Sequence, residues 1–357
     1  MPARHRSISE ELREALETVA PGTPLRAGIE RIVRAKGGAL VVVNDDPEVL
    51  AICSGGFLVD APFSPQRLSE LAKMDGAIIL SAECDRIARA NVHLVPDPTV
   101  PTSETGTRHR TAERVAKSLK VPVVSASEEM GVINLYAGGS KHQLQDVSRL
   151  LDRANQALQT LERYKVRLED AMLSLTSAEL EDAVSLRDVA AVLQRGEMVL
   201  RIAEEIETMI VELGVEARLL RLQLDELYGD IEDELNLVIT DYIPPGRTVI
   251  ATLAELAALS DDEVLDLRIA AEALHREEGA KDLDQEVAPR GVRLLSRVKL
   301  SDDSASRIVE HFGTVARLQR ATVPDLMEVD GVDDVTAASI KEALERATET
   351  AILDQYS

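Results

Sequence analysis

Aromatic side chains are nearly missing from this chain: no Trp, three Phe and five Tyr, or 2% of 357 residues. The cores it can build are therefore aliphatic, and a nucleic-acid surface made of stacked aromatic rings is excluded. Cysteine is scarce as well. Cys53 and Cys84 lie too far apart for a C-x-x-C motif, which predicts two reduced, partly buried thiols in a cytoplasmic protein. No secretory leader and no apolar run of membrane-spanning length is seen, so no membrane partner is expected. A Walker-type G-x-x-x-x-G-K-[ST] run is also missing, which argues against an ATP-dependent hydrolase of the P-loop kind. Positive charge is in deficit, 40 Lys+Arg against 63 Asp+Glu, a net −23.

That deficit is uneven. Residues 1–140 carry a net −2, residues 141–288 a net −18 and residues 289–357 a net −3. The middle would repel nucleic acid and suits spacing or oligomer contacts, whereas a local basic patch can survive at either end. With 45% hydrophobic residues, a chain of this length predicts two or three domains with sizeable cores.

Apolar residues at helical spacing run through residues 8–36 around a Pro21-Gly22-Thr23-Pro24 break. Residues 39–43 form an aliphatic run between Gly37-Gly38 and Asn44-Asp45-Asp46-Pro47, as expected of a buried strand. Further strands are expected at 52–57, broken by Gly55-Gly56, and at 77–80, 87–94, 121–124 and 132–136, with helices at 65–73 and 110–120. Strands alternating with helices predict an α/β domain with one mixed sheet of six or seven strands. From about Gln143 the period changes. Val147, Leu151, Ala154, Leu158, Leu161, Leu168, Met172 and Leu175 form the continuous seam of one long helix. Helices at 178–195, 197–213 and 215–228 follow, and coiled-coil-like packing is their expected role. Residues 277–289 read as a polar linker.

Two motifs carry chemistry. Asp75-Gly76-Ala77 opens a strand with one carboxylate, and Gly106-Thr107-Arg108-His109-Arg110-Thr111 sets guanidinium groups, an imidazole and hydroxyls beside a helix N-terminus, where a polyphosphate is favoured. Taken singly, Asp-Gly is ordinary turn chemistry and a basic triplet is a solvated face. Joined by Asn91-Val92-His93-Leu94-Val95-Pro96-Asp97-Pro98, the pair resembles the diadenylate cyclase family. The resemblance covers all 357 residues and extends to the DNA integrity scanning members of that family.

The resemblance implies three domains: an α/β nucleotide-binding cyclase domain at 1–142, an all-α helical spine at 143–288 and a helix-hairpin-helix DNA-binding domain at 289–357. It implies that two ATP condense to cyclic di-AMP with loss of two pyrophosphates. A ribose hydroxyl needs a carboxylate to position or deprotonate it, or a metal to lower its pKa, and Asp75 is the motif residue suited to this. The leaving pyrophosphate needs oriented cationic donors, which Arg108, His109 and Arg110 offer, with the hydroxyls of Thr107 and Thr111. Gly76 and Ala77 would let the backbone approach the nucleotide, Leu94 would meet the adenine through its main chain, and Ser127 would join the nucleotide site. Mg2+ or Mn2+ is implied by the triphosphate, with Asp75, His109 and Glu128 as protein contacts. Two ATP reacting reciprocally on a chain with one copy of each motif require a site shared by two copies. An even-numbered homo-oligomer is thus expected, and the family implies an octamer. Branched DNA is the implied partner of 289–357. There the hairpin reads Gly331-Val332-Asp333-Asp334, placing carboxylates where the family's glycine meets phosphate, while Arg290, Arg293, Arg297 and Lys299 offer compensating charge. The alternative reading is a non-enzymatic DNA-binding scaffold with a nucleotide-sensing domain.

Overall fold

The computed structural model describes residues 8–128, 131–274, 282–298 and 300–355. They fall into two compact units. One comprises the residues up to 156 together with 205–223, and the other 157–204 together with those from 224 onward.

The first unit begins with helices α1 (Glu10–Thr18) and α2 (Pro24–Arg34). The break between them is chemical. Thr23 caps the second helix through its Oγ1, 3.2 Å from Arg26 N, and Pro24 occupies the first turn, where its missing N–H costs nothing. Then come β1 (Ala39–Val43), α3 (Pro47–Ala51), β2 (Cys53–Ser54), β3 (Phe57–Pro62), α4 (Pro65–Leu71), β4 (Ala77–Leu80), β5 (Arg86–Leu94), α5 (Thr107–Leu119), β6 (Val123–Ala126), β7 (Ile133–Ala137) and β8 (Ser140–Leu144). They build one mixed sheet in the order β2-β5-β4-β1-β6-β7-β8, with β3 also on β5. Among the described residues only β1 and β4 pair in parallel.

Eight strands exceed the six or seven expected. Gly55 and Gly56, at φ +66° and +78°, split the 52–57 run into two strands, and β8 is too polar (Ser140, Lys141, His142, Gln143) to carry a strand signal. Alternation along β1 divides the core between the two faces. Ala39, Val41 and Val43 join Leu12, Leu16, Ile29 and Leu68 of α1, α2 and α4, whereas Leu40 and Val42 join Ala112, Val115 and Ala116 of α5. The sheet is thus covered on both faces, as a domain core requires.

The long helices are α6 (Val147–Glu181), 35 residues or about 52 Å, and α7 (Leu186–Leu213). Along α6 the buried apolar positions are Leu150, Ala154, Leu158, Leu161, Leu168, Ala171, Met172 and Leu175, so the seam begins at Leu150 rather than at Val147 and Leu151. Residues 178–195 and 197–213, expected as two helices, differ in the structure. The turn falls earlier, at Asp182 (φ +56°), and the chain is continuous through Gly196. A Cβ there would come within 2.3 Å of Leu235 Cδ2, so this glycine serves close packing and does not end a helix. After a 3-10 turn at Gly214–Ala217 come α8 (Arg218–Tyr228), α9 (Ile231–Tyr242), α10 (Val249–Ala258), α11 (Leu267–Glu272), α12 (Val292–Leu295), α13 (Asp302–Phe312), α14 (Val315–Arg320), α15 (Val323–Met327) and α16 (Asp334–Gln355).

Of the expected 277–289 linker, residues 277–281 lie outside the described residues. Beyond them the chain is tied down: Leu186 N donates to Gln285 O at 2.9 Å and Val287 N to Val184 O at 2.9 Å. The basic cluster expected near the C-terminal hairpins is largely spent inside this unit. Arg293, 5% exposed, pairs with the buried Glu179 and donates to Thr176 Oγ1 at 2.9 Å. Arg290 donates to the carbonyls of Thr240 and Ile243. Asp241 accepts from the backbone N–H groups of Gly291, Val292 and Arg293 at 2.7–3.0 Å, capping α12. Only Arg297 of the described three is exposed, and Lys299 lies outside the described residues.

Candidate active site

Sheet register brings the first motif to the second. Val41 pairs with Ile78 in parallel and Ala39 with Ala126 in antiparallel. Continued past the strand ends, these registers set Asp75, Gly38 and Ser127 level with one another on the adjacent strands β4, β1 and β6. The Arg108 side chain lies over that row. A Cβ on Gly38 would fall 2.1 Å from Arg108 Nη1, so the glycine makes room for the guanidinium. Arg108 Nη2 donates to Asp75 Oδ1 at 3.5 Å. That pair is long and Asp75 is fully exposed, so it adds little stability; its importance is that the two motifs meet.

The basic motif is helical from its first residue. The expected helix at 110–120 begins at Thr107, with Gly106 as N-cap at φ −79°, ψ 141° and no capping side chain. The N–H groups of the first turn are therefore offered outward at the positive end of the dipole. Helical geometry also divides the triplet. Arg108 and His109 are half-buried, whereas Arg110, two residues on and roughly 200° around the axis, is exposed. The three do not form one cationic patch. Thr107 and Thr111, one turn apart, share a face.

His109 Nδ1 lies 3.1 Å from the Tyr136 hydroxyl, which donates to Glu104 Oε1 at 3.2 Å; Lys141 Nζ closes the chain at 2.7 Å from Glu104. Burial holds the imidazole below its ordinary pKa, against the pull of Glu104 and with the push of Lys141 and Arg108. The loop bearing Glu104 is anchored on α5 by Glu113, which accepts from Ser103 N at 3.0 Å and Lys117 Nζ at 2.7 Å and from the Thr102 hydroxyl. Burial pushes this carboxyl up, but those bonds together bring it to about 2.

Gly76 acquires a different role from the one expected. A Cβ there would sit 2.4 Å from the Asn91 carbonyl carbon and 2.7 Å from Val92 N. The cause is local: Asn91 is left-handed (φ +53°) where the β4/β5 register shifts, and this bulge brings the backbone of β5 over β4. Ala77 is buried as the first residue of β4, and the buried Leu94 pairs with Cys53 at the end of β5. Glu128 is exposed beyond β6. Asp75, His109 and Glu128 do not converge: among the described residues no group of three or more His, Cys, Asp or Glu is placed to hold a metal. Gly38, Glu104, Tyr136 and Lys141 join the site without having been singled out in the sequence. A Gly-Gly doublet before a strand was a usable signal for the first; the other three had none.

No described helix is long and apolar enough to cross a membrane. Residues 26–141 match a family model described as DisA bacterial checkpoint controller nucleotide-binding, and residues 144–283 match that of the DisA bacterial checkpoint controller linker region. The DNA integrity scanning protein DisA of Frankia alni is 50% identical over 348 residues, 96% of this chain and 97% of its own. That of Streptomyces coelicolor is 50% identical over 351 residues, 97% of this chain and 94% of its own. With a nucleotide-binding domain and linker matched in order and half of its residues shared over nearly its whole length, the chain belongs to the family of DNA integrity scanning proteins named DisA.

Proposed function

We propose that this protein is a diadenylate cyclase that condenses two ATP into cyclic di-AMP with release of two pyrophosphates. The observation that carries the reading is the meeting of Arg108 with Asp75 beside the uncapped start of α5. Each 3′-hydroxyl attacks the α-phosphorus of the other nucleotide. Asp75 accepts the hydroxyl proton, and Arg108 with the first-turn N–H groups of α5 stabilises charge on the leaving pyrophosphate. Asp75 and His109 would be the protein contacts of a divalent cation, since a hard cation on a triphosphate needs few protein ligands. The chemistry supplied by Mg2+ or Mn2+, when bound, is neutralisation of the triphosphate charge.

One copy of each motif per chain makes each site half of a pair, so the working form is an even-numbered homo-oligomer, and the family suggests an octamer. We place it in the cytoplasm, where the free thiols of Cys53 and Cys84 stay reduced. We read residues 289–357 as a helix-hairpin-helix domain, a reading supported by the paired helices α12 and α13 and the pair α15 and α16, between which Gly331 lies at φ +89°. In this reading branched DNA bound there suppresses the cyclase; what supports a DNA contact is the relatives' name, DNA integrity scanning protein. The test is to incubate the purified chain with ATP and Mg2+ or Mn2+ and identify the product by mass. Cyclic di-AMP with pyrophosphate is expected; ADP with phosphate, or unreacted ATP, overturns the reading.

A further inference from the structure

Tyr136 is 1% exposed, its ring set among Val42, Val123 and Val115. Phe would fill that volume without the cost of burying a hydroxyl, so the hydroxyl calls for an account, and its neighbours supply one. A carboxylate only accepts, an ammonium only donates, and a phenol carries one proton. Glu104, ion-paired to Lys141, takes the Tyr136 proton. The phenol oxygen can then only accept from His109, so the neutral ring carries its proton on Nδ1 and a lone pair on Nε2. Among the described residues Nε2 has no partner, and the Cδ2 edge next to it lies beside Gly106, where a Cβ would come into van der Waals contact at 3.6 Å.

We infer that Tyr136 and Glu104 are positioning residues that hold His109 in the Nδ1–H tautomer, so that Nε2 faces the nucleotide site as an acceptor. A lone pair repels a phosphate oxygen. His109 is thereby separated from Arg108: the arginine carries the phosphate charge, and the histidine receives. The relay draws on four separate elements, Glu104 in the loop before α5, His109 on α5, Tyr136 on β7 and Lys141 on β8. What Nε2 serves in turnover rests on the cyclase reading; the tautomer itself does not.

The test is 15N NMR of the full chain labelled at histidine, with His109→Asn used to assign the signals. The parent should show a protonated Nδ1 and a bare Nε2 at His109. Tyr136→Phe removes the acceptor, and Glu104→Ala frees the phenol proton to turn toward the ring; each should move the population to Nε2–H. In the same variants kcat for cyclic di-AMP should fall about 10- to 100-fold, the scale for losing the partner that orients a histidine, with KM for ATP within about twofold. A parent spectrum showing Nε2–H, or two folded variants with the parent's tautomer, overturns the proposal. Should Tyr136→Phe fail to fold, Glu104→Ala, which alters a loop side chain, decides alone. A parent that makes no cyclic di-AMP sinks the cyclase reading and leaves the tautomer to the spectrum.

Discussion

Two helix starts in this chain have opposite fates. At α5 the N-cap is Gly106, which has no side chain, and the first-turn N–H groups remain on offer beside Arg108. At α16 a first-turn N–H is taken by the cap: Asp333 Oδ1 accepts from Thr336 N at 2.8 Å. The Thr336 side chain first, and then its backbone N–H, hold this carboxyl below its usual range. The other helices of the C-terminal region follow α16. Ser301 caps α13 and Asp241 caps α12. A helix start is thus an anion site only where the chain leaves it unfilled. Here that condition is met at α5 of the nucleotide domain, whereas the C-terminal helices fill their starts with their own oxygens.

The largest effect expected from breaking this comparison is at Asp75, the carboxylate that works with the open start. Asp75→Asn keeps the shape and removes the basicity, so ATP should still bind while cyclisation falls by about 10²- to 10⁴-fold. Product formation within a few-fold of the parent would separate Asp75 from the chemistry. Closing α5 comes next. Gly106→Asp fits the extended backbone there and would cap the helix as Asp333 caps α16, changing stability by only a few tenths of a kcal/mol. ATP affinity should drop about tenfold, equivalent to roughly 1.4 kcal/mol of charge against the dipole; an unchanged Kd would mean that the triphosphate sits elsewhere.

The converse experiment opens α16. Asp333→Gly should tighten binding of a branched duplex a few-fold at low salt, with little sequence preference and a steep loss on adding salt, because backbone contacts release counterions. Equal affinity for parent and variant, measured by titration, would remove this hairpin from the DNA surface. The smallest effect concerns the loop at the open start. The Glu113 carboxyl drops from 4.5 to about 2 on folding, so its stabilisation is complete above pH 4.5 and is lost as pH falls from there toward about 2. Glu113→Gln should therefore melt below the parent near neutrality, with the gap in Tm narrowing as pH falls through that window. A gap constant with pH would assign the loss to packing.

How much of this was legible depended on range. The β1 run, the break before α2 and the two motifs are local signals, and the sheet brings Arg108 of one motif to Asp75 of the other. Gly196 misled because its reason, Leu235, is supplied by another helix. The same distance hid the fate of Arg293, whose partner Glu179 lies 114 positions away, and so a basic cluster in sequence became an interior network. His109 was legible as chemistry, but its orientation was not, since Glu104, Tyr136 and Lys141 reach it from a loop and two strands.

Gly76 bears on how mutational tolerance is interpreted. In a saturation scan this position should tolerate nothing, because every other residue would drive a side-chain carbon into the backbone at Asn91, 2.4 Å away. The loss of activity would rank it beside Asp75. Asp75 would be lost for the proposed chemistry and Gly76 for the bulge that shapes the sheet, and a functional assay alone would score them alike. A folding readout run in parallel separates them: Asp75 variants should keep the parent's melting curve, and Gly76 variants should not.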